Sequence, residues 1–165
     1  MGANVPEDIG LYFSWGNIEG HSENSGYNFS QEVYNETPGS SILTDLPLNA
    51  DAANVILGGG SRMPTDDEVR ELNTNCSSIW TTHNGMPGRL FTSNINGKTL
   101  FIPAAGRFDG TARASYGASC FLWTNTYVDA THCKDLYTNA TQVVTPHSID
   151  RKLGLSIRPV LDPNL

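Results

Sequence analysis

Asn96-Gly97 imposes the sharpest local constraint on this chain of 165 residues. It lies between Arg89-Leu90-Phe91-Thr92-Ser93 and Thr99-Leu100-Phe101-Ile102, two runs suited to pleated strands. Asn-Gly tolerates the positive φ angles of a tight hairpin, so the two runs are expected to pair. Pro103 has no N–H to donate, and the ladder is expected to end there. Ala104-Ala105-Gly106 leaves room for close backbone approach, and Asp109-Gly110 signals a turn. Beyond it, Thr111 to Leu153 shows little periodicity and reads as a long irregular region. A rigid scaffold that delivers an irregular surface is where binding function usually sits.

Length and charge bound what that surface can be. A chain of this size forms one domain and buries about 70% of its unfolded surface. The net charge is −7, unevenly spread. Through Cys76 there are two basic and twelve acidic residues; from Ser77 onward there are eight basic and five acidic. The acidic half argues against binding a phosphate backbone, which needs a basic stripe. No run approaches the ~20 apolar residues of a membrane span, and Met1 to Pro6 carries no apolar signal core. The abrupt start at a Pro-Glu-Asp segment suggests a domain excised from a longer protein. Residues 1–9 read as a lead-in and 10–165 as the domain.

Gly10 to Trp15 reads as a short aromatic strand, and Asn17 to Pro47 as a covering loop anchored by Tyr27, Phe29, Val33 and Tyr34. Asn49 to Leu57 reads as a short helix with Ala52, Ala53, Ile56 and Leu57 inward, ended by Gly58-Gly59-Gly60. That glycine run follows a helix and precedes no Gly-Lys-Ser/Thr, so it is no phosphate cradle. Thr65 with Glu68 forms a capping box, which makes Asp66, Asp67 and Glu68 helix-start acids and not metal ligands. Val69, Leu72 and Cys76 share one helical face. Ile79 to Thr82 reads as a strand, and Asn84 to Gly88 as a turn. Gly154 to Val160 alternates like a strand, an antiparallel partner for Leu11–Trp15 that brings the termini together.

Taken in order, Arg62-Met63-Pro64-Thr65-x-x-Glu68, Phe91-Thr92-Ser93, Phe101 to Gly106, Asp109-Gly110, Trp123-Thr124-Asn125-Thr126 and Gly154 to Val160 resemble the Fibrobacter succinogenes major paralogous domain. The resemblance runs from about Gly10 to Val160. It implies an α+β, C-type-lectin-like fold related to the formylglycine-generating-enzyme group: two helices, small antiparallel sheets, a long irregular loop region and adjacent termini. It extends to the variable proteins of diversity-generating retroelements in gut bacteria and phages. In those proteins exposed ligand-facing residues change while the scaffold stays. Scaffold-like Gly117, Trp123, Leu136 and Gly154 alternate here with a chemically mixed set: Arg113, Ser115, Ser119, Phe121, Tyr127, Val128, Asp129, His132, Lys134, Tyr137, His147, Ile149 and Lys152. The resemblance implies that this set is the ligand-binding variable surface.

The same comparison limits the chemistry expected. No Glu-Pro-Asn or Gln-Pro-Asp with Trp-Asn-Asp is present, so calcium-mediated sugar binding is not expected. Cys120 and Cys133 do not stand in an oxidase motif. Three cysteines leave pairing of these two open beside the reading as free thiols, and no Cys/His spacing fits zinc. The histidines His21, His83, His132 and His147 accompany no hydrolase or zincin motif, and nothing in the sequence brings two of Asp129, Asp135 and Asp150 together. The expectation is a non-catalytic domain with no cofactor and no metal, binding a protein or glycan on a cell surface. Its carrier is expected to be extracellular, as a phage receptor-binding protein or a bacterial adhesin. The alternative is a decoration or assembly module whose same surface contacts sister subunits; an oxidase-like enzyme would need copper at Cys120 and Cys133.

Overall fold

The computed structural model describes residues 1–31 and 45–165; the expected anchors Val33 and Tyr34 lie outside them. Strands dominate, and two helices pack against them. In chain order the elements are β1 (Tyr12–Phe13), α1 (Ala52–Leu57), β2 (Ser61–Arg62), α2 (Asp66–Asn75), β3 (Cys76–His83), β4 (Met86–Ser93) and β5 (Thr99–Pro103). There follow β6 (Arg107–Asp109), β7 (Ala112–Ala114), β8 (Ser119–Tyr127), β9 (His132–Asn139), β10 (Val143–Asp150), β11 (Leu155–Ser156) and β12 (Val160–Leu161). The largest sheet runs β1-β11-β8-β9-β10; β3-β4-β5 form a second, and β2 with β12 and β6 with β7 form two ribbons. The mixed α+β class is as expected.

Thr65 opens α2 as its residue types require. Its hydroxyl accepts from the Glu68 N–H at 3.1 Å while the Glu68 carboxylate accepts from the Thr65 N–H at 2.8 Å. The same carboxylate is held by Arg62 at 2.8 Å, which ties the helix start to β2. Val69 is buried and Leu72 and Cys76 pack beside it. Asp51 caps α1, accepting from Ala53 and Asn54 and, across the chain, from the Met63 N–H at 2.8 Å. Only Ala52 and Ala53 of that helix are buried; Ile56 and Leu57 are exposed, contrary to expectation. The first turn sits on the core and the second carries the same face past its rim.

The main correction concerns Thr111 to Leu153. This stretch is not irregular: it holds β8, β9 and β10, the long strands of the main sheet. Alternation is hidden because β8 is buried on both faces from Ser119 to Asn125, and β9 places Asp135 and Thr138 inside with partners. Smaller corrections follow from register. Met86 to Gly88 begin β4 instead of turning. Pro103 stays in the ladder opposite Gly88, one residue further than expected. It does so at a non-hydrogen-bonded pair, where its missing N–H costs nothing. The C-terminal run is two strands, β11 and β12, broken at 157–159 around Pro159.

β1 and β11 pair antiparallel as expected, Tyr12 opposite Ser156 and Phe13 opposite Leu155. The lead-in packs inward as well: the Met1 amine donates to the Ile157 carbonyl at 2.5 Å. One core cluster joins Phe13, Trp15, Phe121, Trp123, Leu155 and Ile157. A second fills the space between α2, β4–β5 and the other face of the main sheet with Val69, Phe91, Ile102, Leu122 and Leu136. A third holds Tyr12, Phe29, Ala105 and Phe108. Phe29, from the covering loop, closes on Gly154, whose backbone exchanges two hydrogen bonds with Phe108.

A Cβ on Gly154 would stand 2.5 Å from the buried Phe29 ring. Gly154→Ala is therefore expected to destabilise by about 1–3 kcal/mol, read as a lower urea midpoint at unchanged slope. An unchanged midpoint would show that Phe29 does not hold this position.

Candidate functional site

β9 carries most of the candidate surface, and the pleat decides which side chains reach it. Cys133, Asp135, Leu136 and Thr138 are buried, whereas His132 is exposed and Lys134 and Tyr137 are half-buried. Phe121, Tyr137 and Val144 lie in one row across β8, β9 and β10. Within and beside that row the rings step outward: Phe121 to Tyr137 at 4.9 Å, then Tyr137 to His147 at 5.1 Å. Arg107 stacks over the inner end, its guanidinium carbon 5.3 Å from the Phe121 centroid. The β8–β9 turn adds Val128, Asp129 and His132. One Asp129 oxygen accepts from the Thr131 and His132 N–H groups and the Thr131 hydroxyl, which holds its carboxyl down at about 2. Tyr127 beside the turn leans on Trp15.

The remaining expected site residues are placed elsewhere. Ser119, Phe121 and Ile149 are buried, so they cannot face a ligand: Phe121 and Ile149 fill the first core cluster, and the Ser119 carbonyl accepts from the Gly106 N–H. Arg113 and Ser115 sit on and beside the β6–β7 ribbon. Arg113 is stacked on Tyr116 at 3.8 Å and ion-paired with Glu23, so it is engaged within the chain. Lys152 lines a cleft of about 100 Å³ with Phe29, Asp109 and Leu153. That volume is far below the roughly 300–1,000 Å³ of small-molecule sites, and it admits a side chain or a few waters. The register therefore places Tyr127, Tyr137 and His147 on one face of the sheet and His132 and Lys134 on the other, with Val128 and Asp129 in the turn at its end.

One buried pair was not foreseen. Asp135, fully buried in the middle of the sheet, lies 2.7 Å from Nδ1 of His147, and its second oxygen has no partner among the described residues. Sequence spacing could not have found it: a hairpin closed near Asn139–Gln142 would set 135 opposite 146, and the register shift between Val144 and His147 brings His147 there instead. Cys120 and Cys133 are free and occupy different core clusters on opposite faces of the sheet, so pairing between them is excluded by direction. Burial pushes both thiols up to about 12, which makes them poor nucleophiles. Among the described residues no cluster of His, Cys, Asp and Glu could hold a metal ion, and no helix is long and apolar enough to cross a membrane. No family model matches the chain, and neither a curated protein nor a solved structure matches it.

Burial raises the Asp135 carboxyl above its ordinary value of 3.8, with His147, Arg107 and Lys134 pulling the other way. Because the folded value is the higher one, this group's contribution to stability is full below 3.8 and is lost as pH rises through the folded value. Asp135→Asn removes that dependence. The unfolding temperature of the unchanged chain minus that of the variant is expected to fall between about pH 3.5 and about pH 7. A difference that grows with pH would contradict the assignment.

Proposed function

We propose that this chain is a non-catalytic, C-type-lectin-like binding domain that displays a changeable surface to a protein or glycan on a cell. The resemblance to variable proteins of diversity-generating retroelements supplies the setting: a phage receptor-binding protein or a bacterial adhesin, outside the cell that makes it. The observation that carries the reading is the division of labour along β9 and its turns. Buried Cys133, Leu136 and Thr138 fix the strand, while His132 is exposed, Lys134 is half-buried, and Tyr137 rests one side on the core cluster that holds Cys133 and turns the other to solvent. Aromatic area from Tyr127 and Tyr137, charge of both signs from Lys134 and Asp129, and an imidazole from His132 make up a mixture typical of paratopes. The buried thiols are poor nucleophiles, which favours surface recognition over thiol chemistry.

The test has two arms. Binding of the labelled domain to a panel of intact gut-bacterial cells is measured with and without replacement of Tyr137 and His132 by alanine. The double variant is expected to lose at least ~10-fold in affinity while its unfolding temperature stays within a few degrees. Binding that persists, or a loss of stability comparable to a core truncation, contradicts the proposal. The gene supplies the second arm: a near-copy of its 3′ segment differing at adenines, beside a reverse transcriptase, is expected.

A further inference from the structure

Among the described residues, nothing pairs with the outer edge of β3 in the second sheet. β3 and β4 are joined by Asn84-Gly85, whose φ angles of 46° and 86° define a two-residue hairpin of the I′ kind. His83 and Met86 therefore close the hairpin as a hydrogen-bonded pair, and alternation makes Thr81, Ile79 and Ser77 bond to β4 as well. Pro87, opposite Thr82, confirms the phase, since a proline fits only where no N–H is required. The N–H and C=O groups of Ser78, Trp80 and Thr82 consequently point away from the sheet, with no backbone partner among the described residues, whereas the Cys76 N–H is taken by the last turn of α2.

Both edges of the main sheet are blocked. β10 carries Pro146 and a register shift between Val144 and His147, and β1 is covered by a bridge to His21. β3 has neither device and no Asp, Glu, Lys or Arg along it, in a chain of net charge −7. Its outer face continues a row of apolar side chains. Phe101, Leu90 and Ile79 stand opposite one another across β5, β4 and β3, and exposure rises along the row from 5% at Phe101 to 59% at Ile79. An apolar row that ends in the open at an unpaired strand is completed by its own mirror image.

We propose that β3 pairs antiparallel with β3 of a second copy about a two-fold axis at Ile79, joining two three-stranded sheets into one. In that register Ser78 faces Trp80 of the other copy and exchanges both hydrogen bonds with it, and the Thr82 N–H meets the C=O of Cys76, whose own N–H ends α2. Ile79 meets its equivalent at a non-hydrogen-bonded position, where side chains come closest. The strand has no acidic residue to repel an identical chain, and a two-fold contact is closed, because it uses β3 of both copies. This contact is separate from the surface on β9 and does not depend on the function proposed for it. Two short strands fall below the standard interface of about 1,600 Å², so the dimer is weak and forms with concentration.

Sedimentation from about 10 μM to about 1 mM tests it, across the range where small interfaces associate. The mass is expected to double for the unchanged chain. Ile79→Lys and Ile79→Glu, both at an exposed position, are each expected to stay monomeric, and their equimolar mixture to dimerise again. Amide exchange adds a fingerprint: protection at Ser78, Trp80 and Thr82 should rise with concentration by about tenfold or more, while Ile79 and Thr81 stay as they were. A chain that remains monomeric throughout, or self-association that survives Ile79→Lys, overturns the proposal. Association lost on replacing Tyr137 and His132 instead would overturn it too, by placing the contact on the β9 surface.

Discussion

Two indole hydrogen bonds cross the main sheet in opposite directions, and the position of everything after Ser119 depends on them. The Trp123 indole donates to the Phe13 carbonyl at 2.7 Å, and the Trp15 indole donates to the Thr124 carbonyl at 2.7 Å. They span β11, which lies between β1 and β8 in the sheet. The ladder there is thin: two registered pairs join β1 to β11, and a single pair, Ser156 with Leu122, joins β11 to β8. A buried carbonyl left without its donor costs about 1–3 kcal/mol, so each indole secures more than a thin ladder alone would. With Tyr12, Phe13 and Trp123 all inaccessible, the N-terminal strand and the longest strand of the sheet are fixed to each other.

That fixed strand carries the outer half of the molecule. β9 and β10 follow β8 in order, each by an antiparallel ladder. Arg89 reaches across from the second sheet to bond Thr138 and the carbonyls of Asn139 and Gln142, which pins the β9–β10 turn. Thr124 and Thr138, buried polar residues, each donate to a carbonyl nearby. The backbone is thus held by groups that point inward or sideways. What stands outward on β9 and at its turn carries little of that holding, and Pro146 keeps the β10 edge from recruiting a stray strand.

How much of this the sequence disclosed depends on whether the signal was local. The capping box at Thr65 and the Asn96-Gly97 hairpin are local, and both were legible. β8 was not, because a strand buried on both faces shows no alternation. β9 misled for a different reason. Asp135 and Thr138 are polar by type yet interior by position, since His147 and Arg89 satisfy them from other strands. The candidate site divided the same way. Exposure at Val128, Asp129 and His132 follows from a turn in the chain, whereas the burial of Ser119, Phe121 and Ile149 follows from register, which only the paired strands reveal.

The central claim is that the frame tolerates change at its outward positions. It is tested most directly by the unfolding temperature of a set of chains in which Val128, His132, Lys134 and Lys152 are all replaced at once by unrelated residues. The account predicts values within about 2 °C of the parent, no more than the shift from about 1 kcal/mol in a domain of this size. Losses of the size caused by truncating Leu136, about 2–5 kcal/mol, would show that these side chains belong to the fold and not to a displayed surface.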